Sequence, residues 1–215
     1  MYNLSASELR QLKKLSTPAK IQDFLNTLPF NFELDRDTCQ SPRQVLQSGT
    51  AHCLEGAMLA TLALRLQGHK PLLMDLKSIN GIDDDHVVAL FKLRGRWGGI
   101  TKTNHAVLRY REPVYLTLRE LAMSFFHEYF LHSGRKTLRS YSIAFDLSKF
   151  DRRGWMTAET DTTYISPALD QAKHYQLLTP AMVRGLRSAD PVEIAYGKIV
   201  EWNKDGSGNF TTRRK

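Results

Sequence analysis

The chain has 215 residues, of which 42% are hydrophobic and 24% are charged, and its formal net charge is +8. This length suits one domain with a buried core, or one domain with a small appendage. It contains no run of about 18 apolar residues, so no membrane-spanning helix is expected. The first residues lack a basic segment followed by an apolar run, so we expect no signal peptide and a cytoplasmic location.

The positive charge and the two cysteines limit the kinds of site to be considered. An excess of basic residues is compatible with nucleic acid or a membrane surface as a partner. Here the basic residues form short clusters instead of one block, so nucleic-acid binding is the weakest hypothesis, and no membrane partner is expected. Cys39 and Cys53 are too few for a cysteine-rich zinc site, and without an export signal we expect two free thiols.

The hydrophobic pattern predicts helices at both ends of the chain and a small antiparallel sheet between them. Arg94-Gly95 is predicted as the turn of a hairpin, and Gly68 as the residue that stops a helix. A Gly-rich, basic tail begins at Asn203. The predicted helices cover 5–28 with a break at Pro18, about 51–66, 117–132, 167–177 and 180–202. The predicted strands cover 71–76 and 86–93, and a third strand is predicted to start at 96.

Cys53 is the candidate nucleophile. It lies at the N-terminal end of the predicted helix 51–66, where partial positive charge and free N–H groups favour a thiolate over a thiol. The same N–H groups, with that of Cys53, could line an oxyanion hole. The alternative is that Cys53 is a small buried hydrophobic residue, as most free cysteines are.

His86 is the candidate general base. It opens the predicted strand 86–93, which can hold an imidazole rigidly against a helix N-terminus. Asp83, Asp84 and Asp85 precede it, and nearby carboxylates favour an imidazolium that would sustain a thiolate partner. The alternative is an ordinary surface histidine beside an acidic loop.

Three segments in this order resemble the transglutaminase-like superfamily. The first, Gly49–Ala57 (GTAHCLEGA) with Leu64-Arg65 and Gly68 after it, resembles the segment that carries the nucleophile. The second, Asp85–Ala89 (DHVVA), resembles the histidine strand, and the third, Arg96–Ile100 (RWGGI), resembles the following strand with its tryptophan. The resemblance covers about residues 41–104, and the run from Asp85 to Arg139 is similar to uncharacterised bacterial members.

The resemblance implies an α+β fold of the papain and transglutaminase-like type, with the nucleophile helix packed on a small antiparallel sheet and extra N- and C-terminal helices. Residues 1–150 would form this domain, and residues 151–215 a helical extension packed on the core and ending in the basic tail. Such domains cleave or transfer acyl groups at amide bonds through a Cys–His–Asp or Cys–His–Asn site. The expected substrate is a peptide, a protein or a small amide, with no cofactor and no metal.

The third member of the site departs from the family pattern. The position of the family's aspartate is Thr101 here, and Asn104 is the predicted substitute, because an amide fills this role in papain-like enzymes. A two-residue hairpin loop would place His86 opposite Thr103, whereas a three-residue loop would place it opposite Asn104. The threonine also keeps open the alternative of a catalytically inactive binding module with the same fold.

Four other histidines and Glu55 are also considered as members of a site. His127 and His132 are five residues apart instead of the four of a zinc-protease helix, which favours an aromatic core helix over a metal site. His105 is an alternative base. His52 is expected only to pack, and Glu55 to interact with the dipole of its helix.

Overall fold

The computed structural model describes residues 2–33 and 36–199, which alternate helices and short strands. The helices are α1 (Ala6–Lys14), α2 (Pro18–Thr27), α3 (Pro42–Ser48), α4 (Cys53–Leu66), α5 (Leu118–Met123), α6 (Ile165–Asp170), α7 (Pro180–Arg184) and α8 (Pro191–Gly197), with 3₁₀ helices at Phe126–Glu128 and Leu147–Arg153. The strands are β1 (Leu72–Lys77), β2 (His86–Leu93), β3 (Arg96–Thr101), β4 (Arg111–Tyr115), β5 (Ser140–Ser142), β6 (Phe145–Asp146) and β7 (His174–Gln176). None of these helices has the length and apolar character needed to cross a bilayer.

The strands form one open antiparallel sheet. Their order is β4-β3-β2-β1-β5-β7, and β6 also pairs with β1. The predicted combination of helices with an antiparallel sheet is therefore confirmed.

The hairpin between β2 and β3 has a two-residue loop. Arg94 and Gly95 both have positive φ angles, 48° and 78°, as a type I′ turn requires. The resulting register pairs Val88 with Thr101. If this register continued beyond the end of β3, Thr103 and not Asn104 would lie opposite His86.

Helix α4 lies on one side of the sheet and α5 on the other. Side chains of β2 alternate between the two cores, since Val87 and Ala89 pack with α4, whereas Val88 and Leu90 pack with α5. All residues from Leu54 to Leu64 are buried, which follows from the Leu- and Ala-rich sequence of α4. Each fully buried leucine contributes about 1.5–3 kcal/mol. This burial fixes the position of α4, and hence of Cys53 at its first residue.

The chain after residue 150 packs on the same cores. Ile165 and Leu169 of α6 join the core around α4, and β7 forms an edge strand beside β5. The predicted helix 167–177 is wrong in its second half, because that part of the chain is β7. The predicted helix 117–132 ends at Met123, with only a 3₁₀ turn after it. The predicted basic tail lies outside the described residues, and the division of the chain at residue 150 stays a prediction.

Candidate active site

The N-terminus of α4 presents Cys53 at the surface of a well-packed helix. His52 is the N-cap with an extended backbone, and Cys53 is the first helical residue. The Cys53 side chain is partly exposed, whereas Cys39 is buried. A thiol at this position interacts with the positive end of the helix dipole and remains accessible to a ligand.

The environment of Cys53 favours its thiolate. Burial raises the pKa of this thiol, but interactions with the His52 and His86 side chains outweigh burial and lower the pKa to about 6. Burial raises the pKa of the Cys39 thiol to about 12. The structure therefore brings Cys53 and His86 together, and it distinguishes the two cysteines chemically.

His52 is a second imidazole beside the thiol. Its Nδ1 accepts the backbone N–H of Leu54 at 3.2 Å, and its Nε2 lies 3.2 Å from the carbonyl oxygen of Thr38. Burial lowers the pKa of His52, but Cys53, Glu55 and Glu33 raise it, to about 9. The hydrogen bond from Leu54 opposes this rise, because Nδ1 accepts an N–H only when it is unprotonated. Because Leu54 donates to His52, its N–H is not free for an oxyanion, which corrects part of the predicted oxyanion hole.

Glu55 ties the preceding segment to the first turn of α4. Its side chain is fully buried and accepts hydrogen bonds from the backbone N–H groups of His52 and Gln40, at 2.9 and 2.8 Å. It also accepts from the Thr38 hydroxyl at 2.8 Å and from the Asn31 amide at 3.1 Å. The sequence led us to expect that His52 only packs and that Glu55 interacts with the helix dipole, and it did not predict this hydrogen-bond network. The spacing of a capping box, with histidine in place of the usual Ser or Thr, could have revealed it.

His86 is held by the loop that precedes it. The hydroxyl of Tyr129 donates to the carbonyl of Asp84, and the carboxylate of Asp85 accepts from the backbone N–H of Ser78 at 2.8 Å. Asp85 also lies 2.7 Å from the ammonium of Lys77. The carboxylate of Asp85 is therefore engaged with Lys77 and Ser78 and anchors the loop.

The imidazole of His86 retains an unused nitrogen. The side chain is 6% exposed, and its Nε2 is buried without a hydrogen-bond partner in the described part of the chain. Leaving such a group unpaired costs about 1–3 kcal/mol. A buried, unpaired ring nitrogen beside a low-pKa thiol is suited to exchange a proton with a bound ligand.

The candidates for the third member are Thr101, the last residue of β3, and Asn104, which follows this strand. The hydroxyl of Thr101 donates to the carbonyl of Leu108 at 2.7 Å, so it does not orient His86. Asn104 is buried, and it is not a hydrogen-bond partner of the Nε2 of His86. The predicted partnership of Asn104 with His86 stays a prediction. Burial lowers the pKa of the alternative base, His105, and so favours its neutral imidazole.

No zinc-protease helix is present among the described residues. His127 lies in a 3₁₀ helix and His132 lies beyond it, so the two imidazoles do not share a helix face. A group of three carboxylates, Asp75, Asp85 and Asp170, converges elsewhere. The ammonium of Lys77 pairs with all three carboxylates and occupies the position between them.

No family model matches this chain, and no curated protein matches it. The resemblance to the transglutaminase-like superfamily therefore rests on the motifs around Cys53, His86 and Trp97.

Proposed function

We propose that this protein is a cysteine-dependent hydrolase or acyl-transferase that acts on an amide bond within a transglutaminase-like fold. The observation that carries the proposal is the Cys53 thiol, whose pKa is lowered to about 6 beside His86 at the N-terminus of α4. Such a thiol is about nine-tenths thiolate at pH 7, and the thiolate is the nucleophilic form.

The two central residues take complementary roles. The Cys53 thiolate adds to the amide carbonyl carbon, and the protonated imidazole of His86 gives its proton to the departing amine as the C–N bond breaks. A thioester on Cys53 remains. His86 then takes a proton from water or from an acceptor amine, which attacks the thioester and releases the Cys53 thiolate.

The first turn of α4 provides the groups that would stabilise the charges of the proposed reaction. The N–H of Cys53 is the first of the helix and has no intrahelical acceptor, so it is the proposed donor to the oxyanion. His52 also supports the thiolate, and Asn104 is the proposed group that orients His86 during turnover. The proposed substrates are peptides, proteins or small amides, and the proposed location is the cytoplasm.

The proposal is tested by trapping the thioester. The protein is incubated with N-acyl aminoacyl p-nitroanilides and glutamine-containing peptides, with and without hydroxylamine, and is analysed by intact mass and peptide mapping. We expect an acyl adduct on Cys53 and, with hydroxylamine, a hydroxamate product. Cys53→Ala and His86→Ala abolish the adduct, whereas Cys39→Ala keeps it. Equal turnover by Cys53→Ala and wild type would refute the proposal.

A catalytically inactive binding module is the second candidate. The specific observations in its favour are the unpaired Nε2 of His86 and the use of the Thr101 hydroxyl by Leu108. In this case Cys53 would be alkylated readily at pH 7 but would form no acyl adduct with any substrate of the panel. The two candidates therefore differ in acylation, not in thiol reactivity.

A further inference from the structure

A basic cleft separate from Cys53 lies between α7 and the segment before β5. Its volume is about 150 Å³. Four of its lining residues are cationic and none is acidic. The lining residues are Arg135, Lys136, Arg139, Val183, Leu186, Arg187 and Ser188.

The four cations have no carboxylate partner within the described chain. No ion pair joins Arg135, Lys136, Arg139 or Arg187 to any acidic residue in 2–33 or 36–199. At Lys77, by contrast, the protein pairs a half-buried cation with three carboxylates. Unpaired like charges around one cavity repel each other, and a bound anion would remove this repulsion.

The cleft is built from parts that are fixed before any ligand binds. The guanidinium of Arg139 donates to the carbonyl oxygens of Leu138 and Lys136, at 2.8 and 3.0 Å. The two walls are joined by the backbone N–H of Ala189, which donates to the carbonyl of Gly134 at 2.9 Å. Burial and the charge of Arg135 lower the pKa of Arg139. A held guanidinium under like-charge repulsion is arranged to receive an anion.

We propose that this cleft binds the terminal phosphate of a small phosphomonoester, or free phosphate. Arginine presents planar N–H groups that match phosphate oxygens two at a time, and several converging arginines favour a doubly charged phosphate. The cavity volume of about 150 Å³ leaves room for one phosphate group. Val183 and Leu186 form an apolar wall that would contact the organic part of an ester.

The shape of the site favours a small ligand over nucleic acid. A duplex or single strand spreads single charges along its backbone and is held by an extended basic stripe. Here the cations converge on one cavity. Binding to this cleft is independent of the chemistry proposed for Cys53, so either proposal can fail without the other.

Titration calorimetry and thermal unfolding test the site on the full chain. The probes are inorganic phosphate, glycerol 3-phosphate and a single-stranded oligonucleotide, each measured against sodium chloride at equal ionic strength. We expect phosphate and glycerol 3-phosphate to bind and to raise the melting temperature. If only glycerol 3-phosphate binds, the ester is the ligand, and if both bind equally, the phosphate alone is recognised.

Variants then assign the binding to the cleft. Arg135→Gln and Arg187→Gln change exposed residues and are expected to weaken phosphate binding by about tenfold or more each. Arg184→Gln is the matched control, because Arg184 lies exposed on α7 but does not line the cleft, and it should bind phosphate as wild type does. The proposal would be overturned if neither phosphate nor glycerol 3-phosphate bound beyond the chloride control, if all three variants bound with equal affinity, or if the oligonucleotide bound more tightly.

Discussion

The carboxylate of Glu55 lies 3.3 Å from Nε2 of His52 and also accepts the backbone N–H of that residue. This contact fixes the imidazole next to the Cys53 thiol, although neither Glu55 nor His52 occupies a position that the motif assigns to catalysis. His52 thereby has two functions, since it caps α4 and acts electrostatically on the nucleophile. The two functions can be separated by mutation.

Replacement of His52 by asparagine is expected to raise the pKa of Cys53 and to leave the fold stable. Asparagine is among the best N-cap residues, so it can accept the N–H of Leu54, but it carries no charge. The pKa of Cys53, measured from the pH dependence of alkylation by iodoacetamide, should move towards about 8.5, the value of an ordinary thiol. The free energy of unfolding should change by no more than about 1 kcal/mol.

His52→Ala is the matched control for the cap. It removes both the charge and the cap, so its alkylation profile should equal that of His52→Asn while it loses about 1 kcal/mol more in stability. A Cys53 pKa that stays near 6 in both variants would mean that His86 alone sustains the thiolate.

Replacement of Glu55 by glutamine is expected to lower stability by about 3 kcal/mol. The fully buried carboxylate accepts from Asn31, Thr38, Gln40 and His52, and an amide supplies one acceptor oxygen and adds donors that face these donors. Urea unfolding measures the loss. Because Glu55 raises the pKa of His52, NMR titration should show a lower His52 pKa in Glu55→Gln.

Glu120→Gln is the corresponding control in another helix. Glu120 is an exposed first-turn residue of α5 that accepts the N–H of Leu116 at 2.7 Å, so its replacement should cost under about 1 kcal/mol. Equal losses of stability in the two variants would show that the burial of Glu55 does not increase its contribution to stability.

The two cysteines should differ in their reactivity at neutral pH. Alkylation of Cys53 should reach half its maximal rate near pH 6, because its pKa is lowered to about 6, whereas Cys39 should stay unmodified in the folded protein. Peptide mapping after timed alkylation between pH 4 and 9 separates the two thiols. A Cys53 profile centred on pH 8 or 9 would contradict the environment described for α4.

The same shift sets the sign of a stability change. Folding lowers the pKa of Cys53, so the stabilisation from its thiolate is present above the pKa of the unfolded thiol, about 8.5, and is lost as pH falls through about 6. The difference in free energy of unfolding between wild type and Cys53→Ser should therefore grow in favour of wild type from pH 6 to 8.5.

Local signals in the sequence predict the elements that hold the two central residues. The Leu- and Ala-rich run of α4 and its stop at Gly68 depend on neighbouring residues, and so does the Arg94-Gly95 turn, in which glycine suits the positive φ angle of the second position. These features place Cys53 at a helix start and His86 at a strand start, as predicted from the sequence.

Features that depend on distant contacts were not predicted. The role of Glu55 arises only when the irregular segment around Thr38 and Gln40 folds over the first turn of α4. The strand β7 has three residues, too few for a period, and exists because β5 offers an edge beside Tyr175. The hairpin register could be limited to two choices, and only the turn geometry decided between them.

Replacement of Gly56 by alanine is expected to displace the first turn of α4. A Cβ at this position would lie 2.5 Å from the Cβ of Lys102, the residue directly after β3. The overlap should cost about 1–3 kcal/mol, more than the helix gains from alanine. Gly185→Ala is the control, since its Cβ would meet nothing closer than 3.7 Å. Urea unfolding and Cys53 alkylation rates measure both effects, and unchanged values in Gly56→Ala would contradict the close approach.

Replacement of Asn104 by alanine tests the last member of the proposed site. Asn104 is buried, and Nε2 of His86 is unpaired within the described residues, so this nitrogen is available to a partner during turnover. If Asn104 orients His86, Asn104→Ala should lower kcat by about tenfold or more, with little change in KM. Thr101→Val is the matched variant, because it removes a hydroxyl that serves the carbonyl of Leu108. It should lower stability and keep kcat, whereas loss of kcat in Thr101→Val with full activity in Asn104→Ala would transfer the orienting role to Thr101.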